Sequence, residues 1–65
     1  MTKKVKLEIK GKEDGDDYFY RLVDIETNVA TEWIYTNKSN ANVSATTIKR
    51  MMEAIGCEVF VHIKS

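Results

Sequence analysis

Hydrophobic and polar residues alternate in several short stretches of this chain. The stretch Lys4–Lys10 alternates strictly, with Val5, Leu7 and Ile9 at the apolar positions. This pattern predicts a first β-strand that buries one face and exposes lysines on the other. Tyr18–Ile25 is rich in aromatic and β-branched residues and predicts a second strand. Because both of its faces carry apolar bulk, we expect this strand to lie inside the sheet rather than at an edge.

Polar links separate the first three strands and are short enough to form hairpins. Gly11–Asp17 contains two glycines and four acidic residues, and Asp14-Gly15 is a natural turn within it. Glu26–Asn28 predicts a tight turn, since asparagine tolerates the left-handed conformation. A third strand then follows over Val29–Tyr35. Thr36–Asn42 has no apolar pattern and is expected to join this strand to a helix.

The last third of the chain predicts a helix, a stop and a strand. The helix is expected to begin between Asn40 and Ser44, where Asn and Ser side chains can accept from first-turn amides. Gly56 fits a left-handed C-terminal cap. Cys57–Ile63 alternates like a fourth strand. One face of the helix is marked by apolar residues at helical spacing: Ile48, Met51, Met52 and Ile55.

These elements predict one α+β domain spanning residues 1–65, with element order β-β-β-α-β. The first three strands form an antiparallel meander because their links are short. A right-handed crossover can place the fourth strand beside the first, which gives the spatial order 4-1-2-3 in a four-stranded mixed sheet. One helix then packs on one face of that sheet.

The opposite face has nothing in the predicted fold to cover it, and it is the candidate binding surface. Strand one contributes Lys4, Lys6 and Glu8 to this face. Strand two contributes either Tyr18, Tyr20 and Leu22 or Phe19, Arg21 and Val23, and the first set is favoured because Val23 and Ile25 are aliphatic and suit the helix side. The alternative, in which this face has no binding role, is that the aromatic side chains simply pack against one another on a half-covered sheet. The expected partner-binding residues are Tyr18, Tyr20, Trp33, Tyr35, Phe60 and His62.

Composition and charge narrow the function classes. Ten basic and ten acidic residues cancel, which argues against binding driven mainly by the nucleic-acid backbone but leaves a local basic strip open. A chain of 65 residues is marginal for independent stability, which favours self-association. No apolar run approaches the length of a membrane span, and no signal-peptide core follows the first residues. A single cysteine agrees with a reducing compartment, so the cytoplasm is expected.

No catalytic or cofactor-binding constellation passes a test of spacing. Cys57 and His62 lie five positions apart on one strand, so their side chains point to opposite faces and cannot form a dyad. Glu13–Asp17 lacks the ligand spacing of a calcium loop, and a solvated hairpin explains it. Thr36–Ser44 lacks the glycines of a phosphate loop, and helix capping explains it. We therefore expect no enzyme activity, no cofactor and no metal.

The order of strand, tight turn, strand, polar link and helix between Tyr18 and Met51 resembles small three-stranded units such as the DNA-binding arms of integrases. Those units are typically basic and this chain is neutral, so no family is assigned. The sequence favours a non-enzymatic protein-binding module that acts as a regulator, inhibitor or accessory subunit and forms a homodimer. The alternative is a nucleic-acid-binding protein that uses the aromatic sheet face together with Lys4 and Lys6.

Overall fold

The structure is a computed structural model that describes residues 2–64. It contains four strands and one helix in the predicted chain order. The elements are β1 (Lys3–Gly11), β2 (Asp17–Asp24), β3 (Ile34–Asn37), α1 (Lys38–Ala54) and β4 (Cys57–Lys64).

The sheet has the order β3-β2-β1-β4, which confirms the predicted α+β architecture and its spatial order 4-1-2-3. Strand β1 pairs with β2 in antiparallel and with β4 in parallel orientation, so it lies inside the sheet. Strand β2 pairs with β3 in antiparallel orientation. The edges of the sheet are therefore β3 and β4, and α1 covers one face.

The hydrophobic core lies between the inner strands and α1. Its buried members are Val5, Leu7 and Ile9 from β1 and Val59 from β4, and Leu7 is fully excluded from solvent. These residues share one face because they alternate along β1 and stand in register across the β1–β4 pair. The predicted core face of the first strand is confirmed.

The helix begins earlier than the predicted interval of Asn40 to Ser44. Asn37 ends β3 and also caps α1, because its Oδ1 accepts from the amide of Asn40 at 2.9 Å. The predicted link over Thr36–Asn42 is therefore absent, and the strand runs directly into the helix. Gly56 follows the helix with a φ of 94°, as the predicted glycine stop requires.

The packed face of α1 is rotated from the predicted stripe. Ala41 is buried, and Ala45, Ile48 and Met52 pack against the core. Met51 and Ile55 are mostly exposed, so half of the predicted stripe is wrong. The small alanines, which carry little hydrophobic signal, let the helix approach the sheet at this face.

Strand β3 is shorter at its start than the predicted Val29–Tyr35. Ala30 forms only an isolated bridge with Val23, and the ladder resumes at Ile34. Between these two points the pairing shifts by one residue, since three steps from Tyr20 to Val23 match four steps from Ala30 to Ile34. The amide of Leu22 donates to Thr31 Oγ1 at this shift, and the amide of Thr31 donates to the Leu22 carbonyl. The preceding turn is as predicted, with Asn28 at a φ of 61°.

Candidate functional site: the uncovered face of the sheet

The sheet face opposite α1 is called the open face below, and the strand register defines its members. Residues directly opposite one another on paired strands point to the same face. Lys6 stands opposite both Val23 and Phe60. Glu8 stands opposite Arg21 and His62. Continuing this register, the strand residues on the open face are Lys4, Lys6, Glu8, Lys10, Asp17, Phe19, Arg21, Val23, Tyr35, Asn37, Glu58, Phe60, His62 and Lys64.

Two of the six predicted partner-binding residues, Tyr18 and Tyr20, do not lie on this face. They pack against the core on the helix side, together with Leu22. Tyr18 stands opposite Gly11, and a Cβ atom built on Gly11 would come within 2.5 Å of the Tyr18 ring. The missing side chain therefore makes room for the ring on the covered face. The predicted face of the second strand is wrong, and Val23 belongs to the open face.

The other four predicted residues lie on the open face, near its two edges. Tyr35 stands opposite Phe19, and the two rings meet edge to face with centroids 5.7 Å apart. The Tyr35 hydroxyl donates to Asp17 Oδ1 at 3.1 Å, and this hydrogen bond raises the pKa of Tyr35. Phe60 and His62 lie on the opposite edge strand, β4, and both are exposed.

Trp33 precedes β3, and two cations lie against its ring. The Nζ of Lys10 is 4.2 Å and the Cζ of Arg21 is 4.4 Å from the ring centroid. Lys10 also lies 5.6 Å from the centroid of Phe19. The quadrupole of an aromatic ring attracts a cation at these distances. Trp33 is therefore part of a cationic cluster rather than of an aromatic patch.

A buried carboxylate lies at the centre of the open face. Glu8 is only 2% exposed although no helix covers it. Its Oε1 accepts from Arg21 Nε at 2.6 Å, and its Oε2 lies 3.4 Å from the Nζ atoms of Lys6 and Lys64. The Arg21 hydrogen bond, with these three positive charges, outweighs desolvation and lowers the pKa of Glu8 to about 2. Three strands are thereby joined through one ionised group.

The two lysines named from the sequence differ in their contacts. Lys6 belongs to the Glu8 cluster. Lys4 is exposed, and it occupies the open face opposite Glu58 of the parallel strand. The open face therefore carries five cations against three carboxylates, and one of those carboxylates is the buried Glu8. This charge excess is local, because the chain as a whole is neutral.

An open hollow of about 560 Å³ lies where β1 meets the β1–β2 loop. Three lysines border it, Lys10, Lys12 and Lys64, together with the ring of Phe19 and the carboxylate of Asp17. Its volume falls in the range of small-molecule sites. Gly11, at the end of β1, and Gly15, in the following loop, complete the wall.

The acidic loop is attached to the start of the helix. The amide of Lys38 donates to the carbonyl of Asp16 at 3.1 Å, and the Lys38 ammonium donates to the carbonyl of Glu13. These contacts fit a structural hairpin. Over residues 2–64, no cluster of histidine, cysteine or acidic side chains has the arrangement needed to hold a metal ion.

Cys57 and His62 lie on opposite faces of the sheet, as their spacing predicts. Cys57 stands opposite Lys3 on the covered side and packs against the core, whereas His62 stands opposite Glu8. The thiol is not disulfide-bonded. The two side chains cannot act on one substrate atom together.

Four residues of the open face were not among the expected binding residues: Lys10, Phe19, Arg21 and Lys64. Phe19 and Arg21 belonged to the less favoured face of strand two. Lys10 continues the alternation of Lys4 and Lys6, so its face was predictable. Arg21 and Phe19 lie on the same face of the second strand as Val23, so the wrong choice of face misplaced all three residues. The signal that could have prevented it was Gly11, because a glycine in a strand often accommodates a cross-strand aromatic ring.

Comparisons with protein-family models, with curated proteins and with solved structures find no match to this chain. No helix within the described residues has the length and apolar character needed to cross a bilayer. The class defined here is a four-stranded mixed sheet with one covered face, one cationic face and one apolar edge strand.

Proposed function

We propose that this chain is a non-enzymatic protein-binding module whose partner is a second copy of itself, joined along β4. The observation that carries the proposal is the exposure of large apolar side chains on that edge strand. Phe60 is 44%, Val61 45% and Ile63 65% exposed. A second copy alongside β4 could cover them on both faces of the sheet, because α1 leaves Val61 and Ile63 exposed on the covered side and Phe60 lies on the open face.

The edge of β4 carries few of the features that normally prevent strand addition, and only Glu58, His62 and Lys64 could act as blocking residues. Such edges are blocked by proline, by short length, by bulges or by inward-pointing charges. The chain contains no proline, and β4 is eight residues long. The other edge strand, β3, has only four residues. Strand pairing with another chain is therefore favoured at β4 and not at β3.

The small size of the core supports the same conclusion. The solvent-accessible surface is 4772 Å², compared with about 4,250 Å² expected for a folded monomer of this mass. Val61 and Ile63 point to the covered side, opposite Leu7 and Ile9, yet α1 leaves them exposed. A second copy at β4 would extend the core over them.

The symmetry of a dimer limits the register. A two-fold axis perpendicular to the sheet pairs two β4 strands in antiparallel orientation and keeps the open faces on one side. In this arrangement each residue pairs with a residue of the same sheet face. The axis therefore passes midway between the two copies of one residue, which is named below as the residue of the axis. Axes through Phe60 or through Val61 give the longest overlap of the strand Cys57–Lys64.

The axis through Val61 gives the better cross-strand pairs. It places Glu58 opposite Lys64 of the second copy, and Phe60 opposite His62 of the second copy. Val59 then meets Ile63 of the second copy on the covered side. Opposite charges and aromatic pairs across strands each contribute about 0.2–1 kcal/mol. The axis through Phe60 instead leaves Lys64 beyond the paired strand.

Sedimentation at several protein concentrations tests whether the dimer forms. We expect a concentration-dependent dimer for the natural chain and a monomer for Val61→Lys, which places two like charges at the axis. Thr47→Lys, an exposed substitution on α1, is the matched control and should leave the dimer intact. A natural chain that stays monomeric at every concentration would refute the proposal.

Cysteine cross-linking tests the register in a Cys57→Ser background. Residues paired across antiparallel strands have Cα atoms about 4.5–5.5 Å apart, which suits a disulfide. Val61→Cys should therefore cross-link under oxidation, and Phe60→Cys should do so poorly. The reverse result would move the axis to Phe60 and contradict the register while leaving the dimer in place.

We also propose a functional role and a cellular compartment for this module. A small module that presents one edge strand is suited to act as a regulator, inhibitor or accessory subunit. The free thiol of Cys57 beside the core is consistent with a reducing compartment, and we propose the cytoplasm. Fractionation of cells that produce the tagged full chain would test the compartment directly.

A further inference from the structure

We propose that the open face binds single-stranded nucleic acid, with the hollow bordered by Lys10, Lys12 and Lys64 holding one nucleotide. This site shares Lys64 with the edge of β4 that joins two copies, and the rest of the hollow is formed by β1, β2 and the loop between them. It draws on the charge distribution of the folded chain, which the neutral total conceals.

The hollow combines the two groups that such a ligand needs. The three bordering lysines can contact phosphate oxygens, with the Lys64 ammonium also 3.4 Å from Glu8 Oε2, and the Phe19 ring supplies an apolar surface for a base. Asp17 is the one carboxylate at the border, and the Tyr35 hydroxyl already donates to it. A volume of about 560 Å³ accommodates a nucleotide and remains open for the chain to continue.

Further cations extend from the hollow across the sheet. Arg21 and Lys6 lie on the same face, and their carboxylate partner Glu8 is buried beneath them. The pKa of Glu8, about 2, keeps this carboxylate ionised, so it positions the cations without presenting charge to solvent. A nucleotide chain that leaves the hollow can cross β1 and β2 above this row, whose charges are already paired with Glu8.

An exposed ring flanks the cations at the β3 edge, away from the strand that joins two copies. This ring is Tyr35, which packs edge to face against Phe19. Bases can stack on such rings while phosphates contact the centre, which is how single strands bind without sequence readout. A duplex offers no splayed bases to these rings. The arrangement therefore fits a single strand better than a double helix.

Fluorescence of Trp33, the one tryptophan of the chain, provides the assay, since its ring contacts Lys10. A thymidine oligonucleotide of about twelve residues should change the emission in a saturable way at about 50 mM salt. Three phosphate contacts predict that the binding constant falls with salt with a log–log slope of about −2. A duplex of equal length should bind more weakly.

The double variant Lys10→Gln, Lys12→Gln should weaken binding on the order of tenfold at low salt and reduce the slope to about −0.7. Because Lys10 contacts Trp33, this variant is assayed with an oligonucleotide carrying a fluorescent label. The matched control is Lys49→Gln, Arg50→Gln, which removes the same charge from the outer side of α1. This control should bind like the natural chain.

Binding of polyglutamate tests whether negative charge alone, without bases, is enough for binding to the open face. This polymer carries a similar density of negative charge but no bases, and we expect it to bind much more weakly than the oligonucleotide. Equal binding of both polymers would overturn the proposal in favour of an acidic protein partner. Absence of oligonucleotide binding at low salt, with the natural chain folded, would also overturn it, as would equal losses in the two double variants.

Discussion

The two faces of the sheet are held together by different forces, although they share the same strands. On the covered face, Leu7 and its neighbours are removed from water under α1. On the open face, the least exposed side chain is the carboxylate of Glu8. Alternation along β1 places these two residues next to each other in sequence. One strand therefore supports an apolar core on one side and an ionic cluster on the other.

The difference shows how a sheet with a single helix can order its second face. Aliphatic side chains contribute stability in proportion to the apolar area they bury, without directional requirements. The open face instead depends on geometry, because Glu8 must hold its hydrogen bond to Arg21 to offset its desolvation. The stems of Arg21, Lys6 and Lys64 cover the carboxylate while their charged ends remain partly exposed. The stability that the covered face contributes should therefore change little with salt concentration, whereas the stability that the open face contributes should change with pH.

Leu7→Ala tests the covered face and should have the largest effect. Removing a fully buried leucine leaves a cavity and costs about 3 kcal/mol in the free energy of unfolding. Chemical denaturation at low protein concentration measures this loss. Ile34→Ala is the matched control, since Ile34 is half exposed on the same face and should cost about 1 kcal/mol. Equal losses would contradict a core centred on β1.

Paired tyrosine substitutions test which face of β2 is covered. Tyr20 packs against the core, so Tyr20→Ala should cost about 2–3 kcal/mol. Tyr35 is exposed on the open face, and Tyr35→Ala should cost less than about 1 kcal/mol. Both values come from denaturant titrations under the same conditions. A larger loss at Tyr35 would reverse the assignment of faces.

This pair also marks where the sequence was informative. The core positions of β1 followed from strict alternation, because only one of its faces is apolar. Strand β2 has apolar residues on both faces, and alternation alone cannot choose between them. The choice depends on the partner strand, where Gly11 gives space to the ring of Tyr18. Tertiary packing therefore decided two of the six predicted site residues.

The boundaries of β3 and α1 also depended on contacts that a sequence pattern does not contain. Asn37 serves both as the last strand residue and as the helix cap, which removes the expected link. The pairing with β2 shifts by one residue beside Thr31, whose side chain accepts from the amide of Leu22, and β3 begins only after this shift. The Glu8 cluster joins β1, β2 and β4, so its members come together only after the strands pair.

Glu8→Gln tests the open face, and we expect a loss of about 2 kcal/mol at neutral pH. The substitution preserves shape but removes the negative charge that Arg21, Lys6 and Lys64 surround. Denaturant titration measures the loss. Glu58→Gln, an exposed position of the same face, is the control and should change stability by less than about 0.5 kcal/mol.

The same pair of proteins yields a pH dependence with a defined sign. The pKa of Glu8 is lowered from 4.5 to about 2 in the folded chain, chiefly by its hydrogen bond with Arg21. Its contribution is therefore fully present above pH 4.5 and is lost as the pH falls toward 2. The stability difference between the natural chain and Glu8→Gln should shrink over that window. A difference that stays constant with pH would show that Glu8 acts through packing alone.

Lys10→Met should have the smallest effect, and it tests how far the ionic order of the open face extends. Lys10 lies against the rings of Trp33 and Phe19, and an exposed cation–π contact contributes about 0.5–1 kcal/mol. Arg21 remains against Trp33 in the variant, so the ring should keep its position. Denaturation followed by Trp33 fluorescence measures both effects, with Lys4→Met as the control on the same face. A loss above about 2 kcal/mol would mean that the cations around Trp33 hold the open face as firmly as Leu7 holds the core, and the contrast between the two faces would fail.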